Sequence, residues 1–323
     1  MAQKLRPQAS KCRLMRDLAV PPRLKPGDTV AVVSPAGSVS PKIVEQASVA
    51  LRREGYSVKL GRFCLGSYTD GVITFSGTAE QRLADLREAI EDSSVKALWC
   101  SRGGFGTVPL LASLDIDILA KHPKWIVGYS DITALHAAML AAGVMSLHAP
   151  MVRHLAEHGI AGNAISQTIM QVLGGACRTL HYEVPSHTHN RNGWSKGCLV
   201  GGNLAVIDSL VATDFDMLHP GTILFIEDVG DEVFRVVRMM CHLLLTGILP
   251  KLSGLVIGRF SRYRESAQGS AMHDMIRAMV ADFSYPVAFG FPVGHDGRNV
   301  PLVEGAEAEL RVSEQSSSLT LAW

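Results

Sequence analysis

The chain has 323 residues, of which 47% are hydrophobic and 19% charged, and its formal net charge is +1. This length favours two domains over one, and this composition excludes a largely disordered chain. The balance of 31 basic and 30 acidic residues argues against a nucleic-acid partner, and no apolar stretch approaches the length that crosses a bilayer.

The N-terminal segment, residues 1–25, is basic and is interrupted by Pro7, Pro21 and Pro22. It lacks the continuous apolar core of a secretory signal, so we predict a flexible tail. The six cysteines of the chain form no C-x-x-C pair and no zinc-binding spacing, and most lie in apolar runs. We therefore expect reduced thiols in a cytoplasmic protein.

Residues 26–178 alternate short apolar runs with amphipathic stretches. Strands are predicted at 29–34, 57–60, 95–100, 125–128 and 144–148, and helices at 41–54, 78–91 and 132–142. Strands that are separated by helices pair in parallel through right-handed crossovers. This half is therefore predicted to be a doubly wound α/β domain with its site at the carboxyl ends of the strands.

Residues 179–196 are rich in His, Asn, Ser and Thr, which predicts a linker or a long functional loop. Residues 197–323 then predict a mixed α/β domain that is richer in strand. Its strands are predicted at 197–207, 222–226, 254–257, 287–291, 308–312 and 318–322, and its helices at 233–245 and 271–283.

Ser130 lies where an apolar strand runs through Gly128 and Tyr129 into a helix. A serine on such a sharp turn projects its hydroxyl from the top of the sheet, beside amides that can stabilise an oxyanion. The motif is not a full G-x-S-x-G, because Ile132 stands at the second glycine position. Two interpretations remain open at this point, a catalytic nucleophile and a serine that caps the helix.

A glycine-rich loop, residues 101–106, directly follows the strand predicted at 95–100. The successive amides of Gly103 and Gly104 can form a nest for an anion. The spacing does not match the G-x-G-x-x-G of dinucleotide-binding loops. The loop could instead supply a second oxyanion donor beside Ser130.

A serine nucleophile needs a base and a group that orients the base. Among twelve histidines, His295 stands out because it follows an apolar strand on a short loop. Glu227 is the candidate orienting acid, because it ends the run 222–226 at the carboxyl end of a strand. The acids that follow Glu227 are explained by the positive N-terminus of the next helix.

Other histidines have less specific surroundings. His148 ends a strand before Ala149 and could line the site. Three more, at positions 181, 187 and 189, lie in the polar stretch, where a solvated loop and a metal cluster are both possible. No H-E-x-x-H motif and no cysteine pair is present, so we expect an activity that needs no metal.

Taken together, these segments resemble the serine LD-carboxypeptidase family, which includes the microcin C immunity peptidase. The resemblance extends from about residue 26 to the C-terminus. It rests on S-P-A-G (34–37), R-G-G-F-G (102–106), G-Y-S-D (128–131), H-A-P (148–150), G-G-N-L (201–204), the charged stretch 227–238 and G-H (294–295) with Asn299.

This resemblance implies a flavodoxin-like N-terminal domain, a swivelling C-terminal domain, a homodimer and an activity without metal or cofactor. It implies that Ser130 is the nucleophile, His295 the base and Glu227 the partner of His295. The oxyanion hole would then comprise the amide of Asp131 and a glycine amide of the 103–104 pair. Several positions depart from the family pattern and bear on substrate preference, namely Phe105, Ala149, Phe234, Val303 and Glu304.

The expected substrate is a small muropeptide, a murein tetrapeptide that loses its terminal D-alanine at an L,D bond. Its free carboxylate needs a cationic clamp, which Arg102 or Arg235 could supply. The residues expected to contact substrate are Arg102, Arg235, His148, Asn203 and Trp194. The alternatives are a microcin C immunity-type hydrolase that cleaves an aminoacyl-nucleotide amide, with Trp194 stacking on the base, and a ligand-binding module without catalysis.

Overall fold

Two large β-sheets organise the chain in the computed structural model, which describes residues 18–230, 232–263 and 271–323. The described residues divide into two units. The first unit comprises residues 18–178 and 300–304, and the second comprises the described parts of 179–299 and 305–323. Among the described residues, no helix is both long and apolar enough to span a bilayer.

Strands and helices alternate from the start of the described chain. The strands are β1 (Thr29–Val33), β2 (Ser57–Leu60), β3 (Tyr68–Asp70), β4 (Ile73–Phe75), β5 (Val95–Cys100), β6 (Trp125–Gly128) and β7 (Ser146–His148). The helices are α1 (Pro41–Arg53), α2 (Ala79–Glu91), α3 (Ile116–Lys121), α4 (Thr133–Ala141), α5 (Val152–His158) and α6 (Ala164–Gly174).

The rest of the chain is richer in strand. Its strands are β8 (Thr179–Pro185), β9 (Gly193–Asn203), β10 (Ile223–Val229), β11 (Gly254–Ser261), β12 (Val287–Phe289), β13 (Leu302–Glu304), β14 (Glu307–Val312) and β15 (Ser316–Ala322). Its helices are α7 (Leu204–Leu210), α8 (Val233–Leu245) and α9 (Ala271–Met279).

The sheet of the first unit has the order β13-β7-β6-β5-β1-β2. All neighbours pair in parallel except β13, which pairs antiparallel with β7 at the edge. Without β13 and the small β3–β4 hairpin, this is the 2-1-3-4-5 order of flavodoxin-like sheets. Its topological switch point lies between β1 and β5, so the loops that follow these strands and β6 lie at the end where such sheets bind ligands.

Local sequence explains why several of these elements form. Strand β1 is buried from Val30 to Val33, which suits a parallel strand covered on both faces. Helix α2 begins with a capping box in which Thr78 and Gln81 bond to each other's backbone amides. Helix α4 is buried from Thr133 to Leu140, because it packs beneath other elements rather than on the surface.

The second unit contains a seven-stranded sheet with the order β12-β11-β10-β9-β14-β15-β8. The strands from β9 to β12 pair in parallel, and those on the β14 side pair antiparallel. The predicted fold class, a flavodoxin-like parallel sheet followed by a mixed α/β domain, is therefore confirmed.

The prediction of a linker or loop at 179–196 was wrong for much of that segment. Residues Thr179–Pro185 form β8, and β9 begins at Gly193. Among the described residues, strand β8 pairs with β15 at the edge of the sheet, and its exposed polar side chains alternate with the more buried Leu180, Tyr182 and Val184. The period-two signal of a half-buried strand was therefore present at 179–184, but the polar composition of the segment as a whole favoured the prediction of a loop.

Three further boundaries differ from the predictions. Of the predicted tail, 1–17 lie outside the described residues, but Ala19 pairs with Val144 and Leu24 is buried. The strand predicted at 197–207 ends at Asn203, whose side chain caps α7. Residues 300–304 belong to the first unit, because β13 extends the sheet beside β7.

Candidate active site

Ser130 occupies a strained turn at the end of β6. Its φ angle is +66°, in the left-handed region that non-glycine residues seldom adopt. The backbone passes from the extended Tyr129 into a short 3-10 turn over Ser130–Ile132 and then into α4. The N-cap position of α4 is Ile132, so Ser130 lies before the cap. Strain of this kind is typical of a nucleophile held on a strand-to-helix turn.

Ile132 and Gly128 explain why the turn departs from G-x-S-x-G. A Cβ atom on Gly128 would lie 2.8 Å from the side chain of Ile132, so the isoleucine fills the space beside the glycine. The backbone at position 128 therefore lies so close to the Ile132 side chain that only glycine fits there. The side chain at position 132 is accommodated because it packs inward and is fully buried.

The glycine loop after β5 lies directly against Ser130. A Cβ atom on Gly103 would lie 2.9 Å from Cβ of Ser130, 3.0 Å from its Oγ and 3.3 Å from the amide nitrogen of Asp131. Only glycine leaves this space clear. The next residue, Gly104, has a φ of +109°, which residues other than glycine rarely adopt. The loop backbone and the Asp131 amide thus lie beside the serine hydroxyl, as in an oxyanion site.

Asp131 fastens the glycine loop to the turn. Its buried carboxylate accepts hydrogen bonds from the amide and the hydroxyl of Thr107, at 2.8 and 2.6 Å. Burial raises the pKa of Asp131 above its ordinary value, and the two bonds from Thr107 oppose that rise. The carboxylate of Asp131 therefore holds Thr107 in place, while its backbone nitrogen lies beside Gly103.

Arg82, on α2, forms hydrogen bonds to the loops that follow β1 and β5. Its guanidinium donates to the carbonyl oxygens of Gly106 at 2.7 Å, Pro35 at 2.5 Å and Gly77 at 3.1 Å. The amide of Gly37 also donates to the carbonyl of Gly103 at 3.2 Å. These bonds link the loops after β1 and β5 at the switch point of the sheet. The sequence did not single out Arg82, because charged side chains of an amphipathic helix are expected on its solvent face.

In the second unit, Glu227 and His295 form a close pair. Glu227 lies near the end of β10, and its side chain has no exposed surface, whereas that of His295 is 15% exposed. Nδ1 of His295 lies 2.6 Å from Oε2 of Glu227. When Nδ1–H donates to the carboxylate, the lone pair of the imidazole is on Nε2, which is the arrangement of a general base with its orienting acid.

The backbone around this pair is held by two amide-type side chains. Asn299 accepts a hydrogen bond from the amide of Gly294 at 3.3 Å, which closes the loop that carries His295. Asn203 donates to Asp228 at 3.0 Å, next to Glu227. Asp228 also accepts from the amides of Ala205 and Val229, yet burial raises its pKa to about 6.

Arg102 and His148 lie in the first unit, near Ser130. Arg102 is exposed beside the glycine loop, and its Nη1 donates to the carbonyl of Ser38 at 2.8 Å. His148 is fully buried, with its ring centroid 6.1 Å from that of Tyr129, so it packs behind the turn. A direct role for His148 in lining an open site is not favoured by this burial.

The other predicted substrate residues lie in the second unit. Asn203 lies beside Asp228, as described, and Arg235 is exposed on α8. Trp194 is 56% exposed at the start of β9, with the guanidinium of Arg311 over its ring. About 30 Å of extended strand separates it from Asn203 at the other end of β9. The fold therefore does not bring Trp194 to the Glu227–His295 pair.

The sequence of this chain is similar to those of known peptidases. Residues 30–149 match the LD-carboxypeptidase N-terminal domain, and residues 196–310 match the LD-carboxypeptidase C-terminal domain. A probable murein peptide carboxypeptidase of Bacillus subtilis is 31% identical over 300 residues, which cover 92% of this chain and 93% of that protein.

Solved structures agree with the family matches. The muramoyltetrapeptide carboxypeptidase of Oxalobacter formigenes superposes with a TM-score of 0.80 and 29% identity, over 91% of this chain and 99% of that one. MccF in complex with glutamyl sulfamoyl guanosine also has a TM-score of 0.80, over 94% and 98% of the two chains, but is 21% identical. This second likeness is one of fold.

Proposed function

Because the chain belongs to the LD-carboxypeptidase family, and is thus a peptidase, we propose that it is a serine carboxypeptidase with Ser130 as its nucleophile. The observation that carries this proposal is the left-handed backbone of Ser130, whose hydroxyl lies against Gly103. A serine in an ordinary cap or surface position needs neither the strain nor the glycine.

We propose that Glu227 and His295 complete the catalytic machinery. In the first step, Nε2 of His295 accepts the proton of Ser130 as Oγ attacks the scissile carbonyl carbon. The buried carboxylate of Glu227 holds the ring through Nδ1 and stabilises its charged form. His295 then gives the proton to the leaving amine, and the acyl-enzyme forms as the C–N bond breaks.

Hydrolysis of the acyl-enzyme repeats the same steps with water. His295 takes a proton from water as the water oxygen attacks the ester carbon, and the proton passes to Oγ as the ester bond breaks. In both halves the developing oxyanion is stabilised by the amide of Asp131 and an amide of the 103–104 pair. Support for this role comes from the position of Gly103, which is close to both Oγ of Ser130 and the amide of Asp131.

The proposed substrate is a murein tetrapeptide, cleaved at the L,D bond before its terminal D-alanine. Support comes from the names of relatives that act on murein peptides and cover nearly all of this chain. The terminal carboxylate needs a cation, and Arg102 is the better candidate because it lies next to the glycine loop. Arg235, exposed on α8, is the second candidate.

A direct assay tests the function. Purified protein is incubated with a defined L,D-tetrapeptide, and release of D-alanine is followed by chromatography. We expect turnover by the wild-type protein and none above background by Ser130→Ala. An aminoacyl-nucleotide amide is assayed in parallel. Preferential cleavage of the amide would support the microcin C immunity-type alternative, and no turnover of either compound would support a module without catalysis.

We propose further that the reaction needs no metal or cofactor and takes place in the cytoplasm, in a homodimer. Cys64, Cys100 and Cys241 carry free thiols, which fits a reducing compartment. Light scattering coupled to gel filtration measures the oligomeric state, and turnover after dialysis against a chelator measures the metal requirement. Loss of turnover that added zinc restores would refute metal-independence.

A further inference from the structure

Three histidines gather around Phe289 in the second unit. His187 and His189 lie between β8 and β9, and His273 lies on α9. Each offers a ring nitrogen, and these nitrogens lie within 4.8 Å of one another. The ring centroids of the three histidines lie 5.7, 5.5 and 5.3 Å from that of Phe289. The fold thus brings imidazoles from two distant segments together around one aromatic ring.

We propose that His187, His189 and His273 bind a divalent first-row transition-metal ion, of which Zn²⁺ is the natural probe. Neutral imidazole is a common ligand for zinc, copper and nickel. Three histidine ligands leave one position of a tetrahedral ion for water. This site is additional to the proposed catalytic residues, and its assignment does not depend on the proposed function.

Asp274 supports the metal assignment through His189. Nε2 of His189 lies 2.7 Å from Oδ1 of Asp274, so a neutral ring donates Nε2–H to the carboxylate and keeps its lone pair on Nδ1. Histidines that bind metals usually donate their second nitrogen in this way, which fixes the ring and raises its basicity. Asp274 is therefore a positioning residue rather than a ligand.

The two Nδ1 atoms of His187 and His189 face each other at 3.4 Å. Nδ1 of His187 accepts the backbone N–H of His189 at 3.2 Å, so this nitrogen also carries a lone pair. In the tautomer in which His189 donates Nε2–H to Asp274, the two Nδ1 atoms present lone pairs to each other, and a cation between them would replace this unfavourable contact with two bonds. Zn–N bonds of about 2.0–2.1 Å in a tetrahedral site would separate the ligand nitrogens by roughly 3.4 Å.

The surroundings of the rings also suit neutral ligands. Burial, together with the neighbouring histidines, lowers the pKa of His187 and of His273 below the ordinary value. Metal binding would compete with the amide of His189, and with the hydroxyl of Thr188 at 3.3 Å from Nδ1 of His189. A bound ion would join α9 to the β8–β9 connection and so stabilise the second unit.

Metal titration of the untagged, chelator-stripped protein tests the proposal. We expect calorimetry to show one Zn²⁺ per chain, and Co²⁺ to give the visible absorption of a four-coordinate, nitrogen-ligated ion. His189→Ala and His273→Ala should each weaken binding at least about tenfold, and Asp274→Asn about tenfold. The matched control is His181→Ala, which removes an exposed histidine of β8 that bonds to Thr320, and should bind as wild type does.

Two results would overturn the site. One is wild-type binding that does not saturate below millimolar metal, and the other is equal binding by the wild type and the His189→Ala and His273→Ala variants. Either would mean that the rings only pack on Phe289. If the alanine variants fail to fold, as judged by circular dichroism, the wild-type Co²⁺ spectrum and the Asp274→Asn titration still decide the question.

Discussion

Nδ1 of His295 lies 2.6 Å from Oε2 of Glu227, a carboxylate without exposed surface. A buried carboxylate that bonds to an imidazole fixes which ring nitrogen carries the proton and lowers the cost of charging the ring. The pair therefore has the geometry of a base and its orienting acid, and its function can be tested without changing the shape of the site.

Glu227→Gln should keep the fold and remove most of the activity. The amide has nearly the same volume but cannot stabilise a charged His295, so kcat should fall by roughly 10³–10⁴-fold. Steady-state kinetics on the tetrapeptide measures the loss. Glu183→Gln, on the exposed strand β8, is the control and should leave kcat within about twofold. A Glu227→Gln variant that keeps a third of the activity would remove Glu227 from the mechanism.

Two substitutions of Ser130 distinguish its role as a nucleophile from the backbone strain at its position. Both Ser130→Ala and Ser130→Gly should lower kcat by at least roughly 10⁴-fold, because the nucleophile is lost. Only glycine adopts a φ angle of +66° without strain. The free energy of unfolding of Ser130→Gly should therefore exceed that of Ser130→Ala by about 1 kcal/mol. Urea titrations of the two variants give the difference. Equal stability would mean that the turn stores no strain at this residue.

Gly103→Ala should inactivate the protein by crowding Ser130. The new Cβ would lie 2.9 Å from Cβ of the serine and would displace the loop amides, so kcat should fall by at least roughly 10²-fold. Gly27→Ala is the comparison, because Gly27 has a φ of +92° and open space around its Cβ position. That variant should lose stability but not kcat. Full activity in Gly103→Ala would exclude this loop from the oxyanion site.

Substrate amidation tests the requirement for a free carboxylate. A charge-assisted bond from Arg102 contributes roughly 1.5–3 kcal/mol, so an amidated C-terminus should lower kcat/KM at least about tenfold. Arg102→Ala should cause a similar loss on the free acid and little further loss on the amide. Arg153→Ala, which removes an exposed arginine of α5, serves as the control. Equal turnover of acid and amide by the wild-type protein would reject carboxypeptidase specificity.

Stability should depend on pH through Asp228. Burial raises its pKa from 3.8 in the unfolded chain to about 6 in the folded protein, so the folded state binds the proton more tightly. The contribution of Asp228 to stability is therefore complete below about pH 4 and is lost as the pH rises to about 6, by about 3 kcal/mol. Asp228→Asn removes this titration. The free energy of unfolding of both proteins is measured in urea from pH 4 to pH 8. That of the wild type should fall relative to that of the variant as the pH rises from about 4 to about 6. A difference that stays constant with pH would contradict the raised pKa of Asp228.

Local sequence was sufficient to predict much of the fold and the main candidates for chemistry. The apolar runs of β1, β5 and β6 and the helical pattern of α2 are strong because these elements pack on one continuous core. Ser130, Glu227 and His295 were proposed because each lies at the end of an apolar run or on the loop after it, where parallel sheets expose side chains. The edge strand β8 was missed although Leu180, Tyr182 and Val184 alternate with polar residues, because the His, Asn, Ser and Thr content of 179–196 was given more weight than this short alternation.

Local sequence does not show which residues that are distant along the chain come into contact. Three features join segments that are separate along the chain: the space that Gly103 leaves for Ser130, the bonds from Arg82 to the carbonyls of Pro35 and Gly106, and the bond from Thr107 to Asp131. The histidines show the same limit. Sequence grouped His181 with His187 and His189, whereas the fold pairs His181 with Thr320 and adds His273 from α9. Periodicity reports whether a residue faces the core, but only tertiary packing decides which side chains share a site, because those contacts depend on how distant elements come together.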